Sequence, residues 1–493
     1  MTNPFLDHAF HIRWSRLDTG KIEAGIGAAI EQAQAAIDAL AAPINGNEPL
    51  TAENTLLALE DATEDLDLAW GLVGHLDSVR SSDALRKVYN RMLRPVSEFY
   101  AGIPLNQGLW KRIEAYSRTE DAAGLAGAHK RLLEETLADF RQNGADLPPE
   151  KKKRLEEVQA ELASLSQKYS ENILDSTNAW ELIIEDEARL AGLPATVRAT
   201  LRGEAEAKGL GTEDRPLWRI TLKAPSFIPV LEYADDESLR REVWEGSTTI
   251  GRGGVYDNTE LVWKILDLRH EKAALLGKVH FADHVLERRM AGEGDTAMRF
   301  LEDLHDKTRS AFVRETGELE QFRSEQVGEP AAAFEPWNLA YWAEKQRKAK
   351  YDFDEEDLRP YFPIDGVLDG MFRIAEKIFQ LKIRQIDAVF TETGADARQG
   401  IEVWHPEVKF YELYDAHSDE HLGSFYADWY PRDDKRAGAW MNYLRTGQPP
   451  GADGGARKPH LGLICGNLTP AAGGKPALLV HREVQTVFHE FGH

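Results

Sequence analysis

Two histidines four residues apart, His489 and His493, enclose a glutamate in the run His489-Glu490-Phe491-Gly492-His493. On an α-helix this spacing puts both imidazoles on one face. Two imidazoles on one face can hold a single Zn²⁺, and Glu490 is then placed to take a proton from a water on the metal. That is the core of a metal-assisted peptide-hydrolysis site. A catalytic zinc takes three protein ligands and keeps one position open. His489 and His493 supply two, so a third has to come from elsewhere.

Spacing alone does not decide the matter. The chain holds 15 His in 493 residues, and the pattern arises by chance in roughly a few such sequences per hundred. Its surroundings add weight. Residues 481 to 488 read as one helix with the motif. Val484, Val487, Phe488 and Phe491 fall at i, i+3, i+4 and i+7, a stripe that buries one face. The two histidines sit beside that stripe. The bland alternative is a core helix whose histidines are only hydrogen-bonded.

The elements expected to position this helix are mostly helical. Ile22, Ile26, Ile30, Ala33, Ile37 and Leu40 recur at three and four and end near Pro43. Leu56, Leu59, Leu66, Trp70 and Val73 continue the habit. Pro148 and Pro149 open a helix with Leu155, Val158, Leu162, Leu165, Tyr169 and Ile173 on one side. Another starts near Asp295 and carries Met298, Leu301, Leu304, Phe312, Leu319 and Phe322. Strand signals are fewer. Trp218, Ile220 and Leu222 alternate with polar residues; Glu407–Tyr414 and Gly423–Tyr430 read as a hairpin; Leu461–Cys465 and Ala477–Val480 read as two further strands. A small β-region therefore precedes the motif. An exposed strand edge beside a metal can bind a peptide through its backbone. The stretch Gly447–Lys458 reads as a loop, not a phosphate cradle, and Gly251–Gly254 as a turn.

Composition narrows the partners. Lys+Arg is 59 and Asp+Glu is 83, a net charge of −24, which disfavours nucleic acid. With 42% hydrophobic and 29% charged residues the chain suits a globular protein with a core. Its one cysteine, Cys465, excludes an internal disulfide and fits a reducing compartment; in its apolar run it reads as a small buried hydrophobe. No segment approaches the 18 or so apolar residues of a membrane span, and the first residues do not read as a signal or transit peptide, so the cytoplasm is the expected location.

The chain resembles the thimet oligopeptidase family of zinc metallopeptidases. The likeness is strongest in Val487–His493. It extends through Gly474-Lys475-Pro476-Ala477-Leu478, Arg432 with Lys435-Arg436, Gly438-Ala439-Trp440-Met441, Trp404-His405-Pro406, Glu335-Pro336-Trp337 and Leu358–Pro363. Weaker similarity passes through Leu174-Asp175 and Tyr169-Ser170 to Thr2-Asn3-Pro4. The resemblance implies a mainly α, multi-helical, clam-shaped metallopeptidase fold with a small β-region before the zinc-binding helix. It implies an N-terminal helical region over 1–215 and a catalytic region over 216–493 that ends in the helix 481–493. It implies one Zn²⁺ held by His489 and His493, with Glu490 as general acid/base. It also implies short peptide substrates, cut at internal bonds, and no obligate protein partner. In the family the third ligand is a glutamate on a following helix, with substrate-holding tyrosine and histidine further on. This sequence stops before them, so the expectation is the N-terminal part of such an enzyme, inactive by itself. Two rivals remain open: a helical peptide-binding protein or inactive fragment, and another His-Glu-x-x-His hydrolase such as an aminopeptidase.

Overall fold

Apolar residues at helical spacing build most of the molecule, and a five-stranded sheet carries the rest of what bears on the motif. The computed structural model describes residues 3–43, 49–330, 332–352, 354–395, 400–450, 456–472, 474 and 476–493. Thr2, Lys475 and residues 451–455 of the expected loop lie outside them. The chain is mainly α, with a small β-region. It forms two compact units, each drawn from separate segments.

The first unit takes residues up to Ala9, Arg16–Glu171 and Asn258–Leu304. Its helix Ile22–Ala41 buries Ile22, Ile26, Ala33 and Ile37, as the spacing requires. The helix Ala58–Val79 buries Leu59, Leu66, Leu72 and Val73, while Trp70 stacks on Tyr89 with ring centroids 4.6 Å apart. The helix Pro149–Ala179 begins at a proline, where the missing N–H costs nothing, and buries Leu155 and Val158. The long helix Gly294–Val327 forms as one piece, but Met298, Leu301 and Phe312 are exposed along it. Its periodicity reported the helix and not its burial.

The second unit takes Phe10–Ser15, Asn172–Asp257 and His305–His493. It holds all nine strands found among the described residues. β1 (Glu181–Ile184) pairs antiparallel with β2 (Trp218–Thr221), and Trp218 and Ile220 are buried against Val197, Leu201, Val230 and Leu239. The other strands are β3 (Leu381–Ile386), β4 (Ala388–Phe390), β5 (Ile401–Val403), β6 (Lys409–Asp415), β7 (His421–Asp428), β8 (Trp440–Arg445) and β9 (His460–Cys465). β4 and β5 form a small parallel pair. The rest make one sheet in the order β3-β6-β7-β9-β8.

β6 and β7 are the expected hairpin. Asp415 closes its turn by accepting the N–H groups of His417 at 3.0 Å and Ser418 at 2.7 Å. β9 lies parallel to β7, and β8 pairs antiparallel on its far side as an edge strand. The expected strand at Ala477–Val480 does not form. Leu478 makes one isolated bridge to Pro363, flanked by hydrogen bonds from Ile364 N to Ala477 O (3.0 Å) and Leu479 N to Phe362 O (2.9 Å). The ladder goes no further because the Phe362 N–H is used by Arg359 O at 2.9 Å and helices begin at Ile364 and His481.

One face of the sheet, with Tyr411, Leu413, Phe425, Ala427, Met441 and Ile464, packs under the helices Ile364–Phe379 and His481–Gly492. On the opposite face the segment Phe10–Ser15 sets Trp14 against Trp404, ring centroids 4.8 Å apart, and Ser15 N donates to Glu402 Oε2 at 2.9 Å. No helix among the described residues is long and apolar enough to cross a membrane.

Candidate metal centre

The His481–Gly492 helix is fixed at its start by an acidic side chain. The residue before it, Val480, has no polar group to cap it. Glu483 does the work from inside the first turn: Oε2 accepts Val480 N–H at 2.9 Å, while Oε1 accepts the N–H and the hydroxyl of Thr469 at 2.6 and 2.8 Å. The strand-like lead-in is held by Arg359, whose Nη1 donates to Leu478 O at 2.8 Å.

At 100° per residue, Val487, Phe491 and Val484 cluster on one side of the helix, with Glu490 about 60° to the other side of Val487. That whole arc meets the sheet. Val487 is fully buried, Val484 and Phe491 are partly so, and Glu490 is only 6% exposed. The Phe491 ring stands 5.8 Å from Phe372 and 6.0 Å from Phe425. The expected stripe included Phe488, which is 40% exposed instead. It lies about 100° beyond Val487, on the side away from Glu490, and the covered arc is centred too near Val487 to include it.

His489 and His493 emerge past Glu490 on the exposed side. Their Nε2 atoms are 3.2 Å apart, and the rings stand at 88° to one another. Without a metal this is a histidine–histidine hydrogen bond. The same separation fits a shared cation. Zinc–nitrogen bonds of about 2.0–2.1 Å at a tetrahedral angle put two ligand atoms about 3.3 Å apart. The pair thus fits two ligand positions. Among the described residues no group of three or more His, Cys, Asp or Glu gathers as a metal site.

Glu490 and His493 line a cavity of about 500 Å³ whose walls include Leu413, Phe425, Met441 and Phe491. Beside it runs β8, on which Asn442 and Tyr443 are exposed. The exposed strand edge expected near the motif is therefore β8, a strand that sequence reasoning overlooked. Its signal was present in Trp440-Met441-Asn442-Tyr443-Leu444, a run of aromatic and apolar residues.

Arg432, Lys435 and Trp404 converge on the end of β7. Asp428 accepts two hydrogen bonds from Arg432 (2.8 and 2.7 Å), one from Lys435 (2.8 Å) and one from Trp404 Nε1 (2.8 Å). Lys435 also donates to the carbonyls of Asp428, Tyr430 and Gly466. Burial alone would raise the Asp428 carboxyl; hydrogen bonds from Arg432 and the charge of Lys435 outweigh it and hold the group well below the usual carboxylate range. This network ties the ends of β7 and β9 together.

Residues 230–493 match the model of peptidase family M3, and residues 27–154 match that of the neurolysin/thimet oligopeptidase N-terminal domain. The chain belongs to peptidase family M3. This M3 chain is 34% identical to oligopeptidase A of Salmonella typhimurium over its whole length, covering 70% of that protein. It is 36% identical to oligopeptidase A of Escherichia coli over 90% of its length, covering 63% of that protein. Dipeptidyl carboxypeptidase of Escherichia coli is 30% identical over 89% of the chain and 61% of its own length. The M3 chain thus spans roughly two thirds of the length of these relatives. Among solved structures, a putative oligoendopeptidase F from Bacillus anthracis aligns over 97% of this chain and 64% of its own, at 13% identity and a TM-score of 0.44, too low to bear on the site.

Proposed function

We propose that the protein is a zinc metalloendopeptidase that hydrolyses internal bonds of short peptides, with His489 and His493 as two zinc ligands and Glu490 as general acid/base. The observation that carries this reading is the 3.2 Å approach of the two Nε2 atoms, with Glu490 held between the imidazoles and the sheet. Bound zinc would supply an acidified water and a polarised scissile carbonyl. Glu490 takes the proton of the attacking water and passes it to the leaving amine. Its burial at the border of the cavity it shares with His493 suits this, because it puts the carboxylate where a ligand could enter and largely out of bulk water. Membership of a peptidase family supports the substrate class. The edge strand β8 supports the mode of binding: a peptide can add to it as a further strand, a contact made by backbone groups and tolerant of sequence. The single buried Cys465 supports a reducing, cytoplasmic setting.

His489 and His493 would be two of the three protein ligands that a catalytic zinc takes, and among the described residues no group of three or more His, Cys, Asp or Glu gathers. The same observation favours a second reading, a protein that binds peptides without turning them over. One experiment separates the two. The protein is dialysed against zinc, its metal content is measured, and its products from a mixture of short peptides are read by mass spectrometry. Bound zinc with internal cleavage supports the endopeptidase. Peptide binding without zinc or cleavage supports the binding protein, and release of dipeptides from one end alone would make it an exopeptidase.

A further inference from the structure

The sheet face beneath the His481–Gly492 helix lacks two side chains. β7 and β9 run side by side, and on this face β7 presents Gly423, Phe425 and Ala427 while β9 presents His460, Gly462 and Ile464. Gly423 and Gly462 put nothing into the space above them. The gap is the cavity of about 500 Å³, walled by Leu413, Leu422, Phe425, Met441 and Phe491 and reached by Glu490 and His493.

The backbone does not demand glycine at 462. A Cβ there would meet only ordinary contacts, Asn442 O at 3.5 Å and Phe425 Cβ at 3.9 Å. Glycine inside a strand weakens it, and a β-branched residue would suit the position better. What glycine leaves is room. A pocket of this size with apolar walls and a few polar groups at its border is the ordinary form of a small-ligand site. A peptide laid along the outer edge of β8 would turn alternate side chains towards the face that Met441 and Tyr443 share.

We infer that this glycine-floored cavity is the subsite for one large apolar side chain, of the Leu, Met or Phe class, on the peptide presented to Glu490. The inference rests on the peptidase reading for the nature of the ligand, and its test is kept separate from turnover.

Binding is measured by calorimetry on the whole chain with a chelator present. The probes are acetyl-glycyl-phenylalanyl-glycyl-glycine amide and its alanyl counterpart. The phenylalanyl peptide should bind about 10- to 100-fold more tightly, the range that burying one such side chain provides. Gly462→Leu fills the cavity and should erase the difference, with the circular dichroism spectrum unchanged. Leu422→Phe fills it from β7 and serves if Gly462→Leu does not fold. Met441→Ala should shift the preference towards a tryptophanyl peptide. Equal binding of the two probes, or a preference that survives in folded Gly462→Leu and Leu422→Phe, overturns the subsite. Cleavage without any side-chain preference overturns the subsite and leaves the peptidase reading intact. Selective binding with no cleavage by the zinc-loaded protein does the reverse.

Discussion

Glu483 and Thr469 are joined twice, through the Thr469 N–H at 2.6 Å and its hydroxyl at 2.8 Å, while the second Glu483 oxygen holds Val480 N–H. One carboxylate thus ties the segment after β9 to the first turn of the motif helix. Glu483→Ala should release both, at about 1–3 kcal/mol for the hydrogen bonds lost and the donors left unpaired. Hydrogen exchange should show faster exchange at residues 480–485, with little change in the first unit. Equal protection in the variant would mean that the sheet contacts alone hold the helix.

Removing one imidazole leaves the other without its partner at 3.2 Å. His489→Ala and His493→Ala should each weaken zinc binding by more than the roughly 10–100-fold that loss of an outer partner of a ligand costs. Each should also bring cleavage of a short peptide down to background, because a catalytic zinc takes three protein ligands and loses one in either variant. Competition with a chromogenic chelator measures the first, a quenched fluorescent peptide the second. Unchanged zinc affinity and cleavage in either variant would remove that histidine from the metal site.

Glu490→Gln changes one atom and keeps the packing of a residue that is only 6% exposed. In the active protein it should retain zinc and lose about 10²–10⁴ in turnover, because an amide cannot accept the proton. Metal content and kcat are measured on the same sample. Near-normal kcat with zinc bound would remove Glu490 from the role of base.

Lys435 and Asp428 meet at 2.8 Å with both side chains all but fully buried. Lys435→Met leaves Asp428 short of one positive partner and should cost about 3–5 kcal/mol. The Asp428 carboxyl titrates lower in the folded chain than in the unfolded one, so its contribution is fully present above the ordinary aspartate value near 4 and is lost as pH falls through the folded value. Urea unfolding at pH 7 and pH 3 should therefore show a smaller gap between wild type and variant at pH 3. An equal gap would mean that packing, not charge, sets the cost.

Burial pushes the Cys465 thiol well above its ordinary range, and the neighbouring Asp428 adds to it. The native protein should not react with a thiol reagent at pH 8, and one thiol per chain should appear in denaturant. Fast labelling without denaturant would show that β9 opens locally.

The sequence alone determined what depends on neighbours along the chain. Helical periods marked Ile22–Ala41 and Pro149–Ala179, turn residues after Asp415 marked the hairpin, and the four-residue spacing brought His489 and His493 together, because each is set within a turn or two of backbone. What needed distant partners was decided only in three dimensions. β8 became the sheet edge because β9 took the place beside β7. Leu478 made a bridge instead of a strand because the Phe362 N–H is taken by Arg359 O and helices begin at Ile364 and His481. Phe488 stayed exposed because the sheet covers the arc around Val487 and Glu490, and the cavity exists because Gly423 of β7 and Gly462 of β9 share one face of the sheet. Periodicity states which residues share a side of an element; which side is covered, and by what, is set by packing between segments far apart in the chain.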